Sequence, residues 1–158
     1  MIFADASFLV SLYLPIDRFS AQARATAASF QDAVAYPLLT EVELNNTVWR
    51  AVGEKRIPAQ LARALLRDVN RDLIAGFLQH CGLDCVTHYR KAMELSEEYA
   101  AQFLTRALDV LHVAAACLLE TPLFASFDER RRKLAASAGL KLLPVNIVPN
   151  THSYGSWR

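Results

Sequence analysis

The chain opens on three apolar residues, Ile2-Phe3-Ala4, cut off by Asp5. After that it alternates between short continuous apolar runs and longer stretches with helical spacing. The opening run predicts a short buried strand. From Ser7 the segment SFLVSLYL predicts a helix ended by Pro15, and residues 17–30, rich in Ala, predict a second helix with Asp17 as its N-cap. AVAYPLL (33–39) predicts a strand followed by a turn at Pro37. Thr40 is then expected to cap a helix with Glu43 at capping-box spacing, running through Val52 to Gly53.

Pro58 stands at the next helix start, and Leu61, Leu65, Leu66, Val69 and Leu73 keep one apolar stripe to about Leu78. LDCVTH (83–88) predicts a short extended segment, with helix from Tyr89 to Tyr99. Leu108 to Leu119 is nearly all apolar and predicts a buried helix. PLFASF (122–127) predicts a strand ending at Asp128, followed by the charged helix ERRRKLAASA with Gly139 as its C-cap, and LKLLPV (140–145) a last strand. Strands that read as apolar runs between helices predict an α/β domain with a mainly parallel sheet covered on both faces. No internal repeat or linker interrupts it. The tail NTHSYGSWR from Asn150 has no period and is expected to be loose or to lie along the surface, with Trp157 either a partner anchor or a plain surface aromatic.

Composition narrows the class. With 158 residues, 53% of them hydrophobic, one domain with one core is expected, and a disordered or fibrous chain is excluded. Seventeen Lys and Arg against sixteen Asp and Glu leave a net charge of +1, so any nucleic acid has to be held by a local patch. Thirteen of the seventeen cations are Arg, which suits forked contacts to phosphate or carboxylate. Cys81, Cys85 and Cys117 are odd in number and not densely spaced, which points to the cytoplasm. The first apolar stretch is interrupted by Asp5 with no Lys or Arg before it. The run at 110–119 is short and contains His112, so neither a signal peptide nor a membrane span is expected.

The chemistry lies in four acids. In open α/β sheets the site lies beyond the carboxyl ends of the strands. Asp5 directly follows the first predicted strand and Asp128 follows PLFASF, while Glu43 and Asp109 stand near helix starts. Asp109 opens a segment that must be buried, where a lone charge is costly unless it is paired or binds metal. One carboxylate at a helix start is explained as a cap; four, two of them at strand ends, suit a hard cation such as Mg2+ or Mn2+. Without a cation their mutual repulsion is expected to raise their pKa values, so that neutralising one acid relieves the metal-free form. In a helix from Thr40, positions 40, 43, 44 and 47 share one side and Glu41 turns away, which favours Glu43 over Glu41.

MIFADAS (1–7), LLTEVELNN (38–46), RALDVLHVAAA (106–116) and LFASFDERRRKLAASAGL (123–140) together resemble the successive motifs of PIN-domain ribonucleases, and within them the VapC-like toxins of bacterial toxin–antitoxin pairs. The resemblance spans residues 1 to about 146 in matching order and spacing; the segment from Val52 to Thr87 carries over poorly. It implies a PIN-like three-layer α/β/α domain over 1–146 with a C-terminal tail at 147–158. It implies Asp5, Glu43, Asp109 and Asp128 as the catalytic and metal-binding set for Mg2+ or Mn2+, hydrolysing RNA with an activated water, with Ser7 and Ser126 in support. A small cognate antitoxin over the groove and a homodimer follow from the same likeness. An RNA-processing PIN nuclease outside such a pair, and a non-catalytic RNA- or protein-binding module that keeps the carboxylates, are the alternatives.

Basic residues complete the picture. Arg106, Arg130, Arg131 and Arg132 are candidate RNA contacts beside the acids, with Arg106 alternatively paired to the cluster; a solvated helix face is the plainer reading of the run at 130–133. An acidic pocket of this kind can also accept an Arg fork from an antitoxin. His112, one turn from Asp109, is either a packing residue or a ligand. His80, Cys81, Cys85 and His88 lack the usual zinc spacing and read as buried small residues and helix end. The chain has no dinucleotide, P-loop or serine-hydrolase signature.

Overall fold

The computed structural model describes residues 1–148. The tail beyond them, with Trp157, lies outside the described residues. Five short strands carry the architecture: β1 (Ile2–Ala4), β2 (Val34–Tyr36), β3 (Leu78–His80), β4 (Leu123–Ala125) and β5 (Lys141–Leu143). Seven helices join them: α1 (Ala6–Tyr13), α2 (Ser20–Ala28), α3 (Leu38–Gly53), α4 (Ala59–Ile74), α5 (Cys85–Phe103), α6 (Ala107–Leu118) and α7 (Glu129–Ser137). The strand order is β3-β2-β1-β4-β5, and all four pairings are parallel. β1 is central, with Ile2 opposite both Val34 and Leu123. The chain leaves it for β2 on one side and later comes back to β4 on the other, which opens a crevice at the carboxyl ends of β1 and β4.

Because successive strand residues point to opposite faces, each strand feeds two cores. Ile2, Ala4, Val34 and Tyr36 pack with Phe8, Leu9, Leu44, Leu65 and Val69, the layer of α1 to α4. Phe3, Ala35 and Phe124 pack on the other face with Leu95, Val113, Ala114 and Leu134, the layer of α5 to α7. Burial on both faces explains why β1 and β2 read as unbroken apolar runs. The small side chains Ala114, Ala115 and Ala116 let α6 lie close on the sheet beside the stacked rings of Phe3 and Phe124, 5.3 Å apart. This three-layer α/β/α arrangement is the one expected from the sequence. Among the described residues no helix is long and apolar enough to cross a membrane.

Several boundaries differ from expectation. α2 starts at Ser20, three residues into the predicted helix, because Asp17 Oδ1 accepts from Phe19 N and holds a turn there. α3 starts at Leu38 directly after Pro37, so Thr40 is inside the helix and buried and does not cap it. The third strand is Leu78–His80, and 83–88 is not extended. α4 stops at Ile74, and Gly76, at φ +81°, turns the chain out of the helix into β3. Asp84 then caps α5 by accepting from Thr87 N, so Cys85 to His88 are helical.

One side chain ties the crevice to the sheet edge. Arg132 is buried, and its Nη1 donates to Ser126 O and Leu143 O, its Nη2 to Pro144 O and Val145 O. It thereby pins the β4–α7 connection to the segment after β5 and satisfies four carbonyls with one guanidinium. Arg132→Met leaves Ser126 O, Pro144 O and Val145 O without that donor, while Leu143 O keeps Ser126 N, and is expected to lower stability by about 2–4 kcal/mol. Urea unfolding of the two proteins checks this; equal midpoints would mean that the carbonyls find other donors.

Candidate active site

The site forms where β1 and β4 end. Asp5 follows β1 directly, its N–H still bonded to Ala125 O, and becomes the N-cap of α1 by accepting from Phe8 N at 3.0 Å. Its carboxylate is buried and held by two hydroxyls: Ser7 Oγ donates to Oδ1 and Ser126 Oγ to Oδ2, each at 2.6 Å. Those hydroxyls also accept from backbone, Ser7 from Phe127 N and Ser126 from Asp128 N. The loop after β4 is thus fastened to Asp5 on both sides. Asp109 is buried at the third position of α6 and reaches back to Arg106 N at 2.8 Å. Asp128 is the N-cap of α7, where Oδ1 accepts from Arg130 N and Arg131 N. Glu43 comes from the second turn of α3.

Asp5, Glu43 and Asp109 converge on one guanidinium. Arg131, only 6% exposed, donates from Nε to Asp109 Oδ1 at 2.9 Å and from Nη1 to Asp5 Oδ2 at 3.2 Å. It forks onto Glu43, with Nη1 to Oε2 at 3.0 Å and Nη2 to Oε1. The second Glu43 oxygen is shared with Nε2 of His112, which is fully buried beside Phe3. An ionised carboxylate only accepts, so His112 Nε2 carries the proton of that bond. Its Nδ1 is buried without a partner. Asp128 makes no ion pair with Arg131. It stands instead on the rim of a cavity of about 190 Å³ with Ser7, Asp17, Glu43, Phe127 and Arg131.

The profile of the PIN domain family matches residues 2–137. The chain belongs to the PIN domain family. Among solved structures, the VapC20 toxin of Mycobacterium tuberculosis, described as sarcin–ricin loop cleaving, superposes with a TM-score of 0.67 over 89% of this chain and 96% of that one. At 16% identity this likeness is one of fold. A comparison with curated proteins found no match.

In this PIN domain three of the four acids named from the sequence meet, and the fourth stands at the rim. The donor set is all hard oxygen, and the guanidinium touching three of its carboxylates acts as a stand-in cation, so the residues suit a hard divalent ion. As they stand, however, the carboxylates close on Arg131, and no group of three His, Cys, Asp or Glu among the described residues is arranged around a metal position. The arginines divide against expectation. Arg131 and Arg132 are buried and bonded within the protein, so neither is a surface contact for RNA; Arg106 and Arg130 are exposed. The signal was in the helix phase, because Arg131, Leu134 and Ala135 lie on one face of α7 and the last two are core residues. Of the His80 to His88 cluster, His88 Nε2 bonds Leu111 O, and its two cysteines are free and not buried as expected, Cys81 being half-buried and Cys85 exposed.

Glu43 does not show the rise in pKa expected from neighbouring acids, because Arg131 supplies a counter-charge. Burial pushes the Glu43 carboxyl up, but hydrogen bonds from His112 and Arg131, with their positive charge, outweigh it and hold it at about 2. Burial disfavours the Arg131 cation, yet Asp5, Glu43 and Asp109 hold its pKa above the ordinary value. A carboxyl lowered from 4.5 to about 2 contributes stability that is complete above about pH 4.5 and is lost as pH falls towards 2. Glu43→Gln is therefore expected to be less stable than wild type at neutral pH and to show a flatter loss across that window. Unfolding free energy measured against pH decides it, and an unchanged acid limb would mean that Glu43 is not held low by the ring.

Proposed function

We propose that this PIN domain is a divalent-cation-dependent endoribonuclease, using Mg2+ or Mn2+ to hydrolyse RNA phosphodiesters with water, and that it is the toxin of a toxin–antitoxin pair acting in the cytoplasm. The observation that carries the reading is the convergence of Asp5, Glu43 and Asp109 on one cation at the carboxyl ends of β1 and β4, with Asp128 beside it. Asp5, Glu43 and Asp109 would hold the divalent cation, which would supply polarisation of the phosphodiester and a more acidic attacking water. The remaining work belongs to the chain. Ser7 and Ser126 fix the Asp5 carboxylate from both sides, and His112 orients Glu43 and keeps it ionised. Asp128, which lies outside the Arg131 ion-pair cluster and lines the cavity, is the acid left for proton transfer. Arg106, the N-cap of α6, and Arg130, two residues after Asp128, are exposed and are the arginines left to meet the phosphates.

The fold shared with a sarcin–ricin loop cleaving toxin supports a structured RNA loop as the substrate class. A cognate antitoxin and a second copy of the chain are the partners this reading implies. Exposed apolar side chains on α3 (Leu38, Val42) and α5 (Val86, Tyr89, Met93) are the surfaces open to them. One observation favours a non-catalytic module instead: a protein cation already fills the carboxylate cluster.

Cleavage of total RNA separates the two. Wild type with Mn2+ or Mg2+ is expected to make discrete cuts that EDTA abolishes, and Asp5→Asn, Asp109→Asn and Asp128→Asn each to reduce cutting by at least about 100-fold. Asp128→Asn keeps the α7 cap, because Asn also accepts at an N-cap, so its loss of activity is not a loss of fold. RNA ends read by sequencing name the substrate. Binding of RNA without cuts under either metal would establish the non-catalytic module.

A further inference from the structure

The guanidinium of Arg131 lies among the three carboxylates that would hold a metal ion, and all three of its nitrogens are bonded to them. We infer that Arg131 is a resident counter-cation that competes with the divalent ion, so that metal enters this site only as the guanidinium leaves it. This rests on the metal-dependent reading above, and goes beyond it by assigning a metal-gating role to a residue outside the acid set.

Three observations carry it. The first is crowding of the acceptors. Both Asp5 oxygens are taken by hydroxyls and Phe8 N as well as by Arg131, both Glu43 oxygens by Arg131 and His112, and both Asp109 oxygens by Arg131 Nε and Arg106 N. An ion bridging the three acids needs the oxygens that Arg131 uses, and the two cations repel at that distance. The second is the charge balance. Three carboxylates around one guanidinium leave a formal charge of −2, and a divalent ion in place of the guanidinium leaves −1, so the exchange lowers the uncompensated charge. The third is a way out. Arg131 lines the cavity of about 190 Å³ together with Asp17 and Asp128. The freed guanidinium therefore has two carboxylates to turn towards, and a long side chain can make that turn without moving its helix.

The trade has a defined order. With metal scarce, Arg131 keeps the acids ionised, compensated and closed. With metal abundant, the ion takes the three carboxylates and Arg131 rotates towards Asp17 and Asp128. The metal concentration at which this happens is set by how well the arginine holds the site.

The test measures metal binding apart from cleavage. Mn2+ affinity is read by electron paramagnetic resonance for wild type, Arg131→Lys and Arg131→Met, and the Arg131 Nε–H resonance of wild type is followed by 15N NMR as Mg2+ is added. Arg131→Lys keeps the charge but loses the fork, which guards against a variant that fails to fold. The expected result is Mn2+ binding at least about tenfold tighter in the variants, and loss of the Nε–H bond to Asp109 as Mg2+ saturates wild type. Metal binding in wild type with that resonance unchanged, or equal or weaker affinity in folded variants, overturns the gating role and leaves metal dependence standing. Binding by none of the three proteins overturns the metal reading itself, and the gating role with it.

Discussion

Everything at the crevice follows from bringing together three carboxylates: Asp5 at the end of β1, Asp109 at the start of α6 and Glu43 from the second turn of α3. Like charges at that range cannot all stay ionised in a dry site without a counter-charge. Two of them receive help from the backbone: Asp5 caps α1 and Asp109 lies in the first turn of α6, where the helix dipole favours a negative charge by about 0.3–1 kcal/mol each. Breaking a buried ion pair costs about 3–5 kcal/mol, so the guanidinium of Arg131 outweighs the dipoles in holding the cluster ionised. The surface pair Arg50–Glu54 shows the contrast, since both partners face solvent and such pairs are worth about 0–1 kcal/mol.

The acids also do structural work, which is why they are placed so firmly. Asp5 ends β1, starts α1 and fastens the loop after β4 through Ser7 and Ser126. Asp128 starts α7, and Glu43 is held from two sides by Arg131 and His112. A side chain fixed by several bonds loses little further freedom when it meets a ligand, which is the condition for a preorganised site. His112 is the clearest case of a residue acting through another. It touches the cluster only at Glu43, and its ring is locked by burial against Phe3.

The sheet and the acids were legible because they follow local rules. A strand buried on both faces must read as an apolar run, and Ile2-Phe3-Ala4 does so because Phe3 feeds one layer and its neighbours the other. Asp5 and Asp128 stand out where such runs end. The third strand was missed because Leu78-Gln79-His80 lies at the sheet edge with Gln79 and His80 exposed, so it carries no apolar run, and the cue was the Gly76 turn before it. The Thr40 cap was misread because Pro37 both ends the β2 connection and opens α3, leaving the hydroxyl inside the helix. The run 130–133 reads as surface by its charge, and only the helix phase shared with Leu134 and Ala135 marks Arg131 as facing inward. Long-range pairing made the difference: Arg131 meets acids from α1, α3 and α6, a combination that no spacing along the chain announces.

The neighbouring arginines also explain how one side chain can be free to choose while its surroundings stay fixed. Consecutive residues on a helix point about 100° apart, so Arg131 faces the acids and Arg132 faces the end of β5. Arg132 locks α7 to the sheet through carbonyls that no ion competes for. Asp128 bonds the backbone N–H of Arg131 itself. The Arg131 backbone is therefore held at its own amide and on the following residue, and what remains adjustable is the rotamer of one long side chain between two sets of carboxylates, Asp5, Glu43 and Asp109 on one side and Asp17 and Asp128 on the other. A rearrangement confined to one side chain leaves the cores untouched. The proposed exchange of cations therefore asks for movement of one side chain and of no backbone.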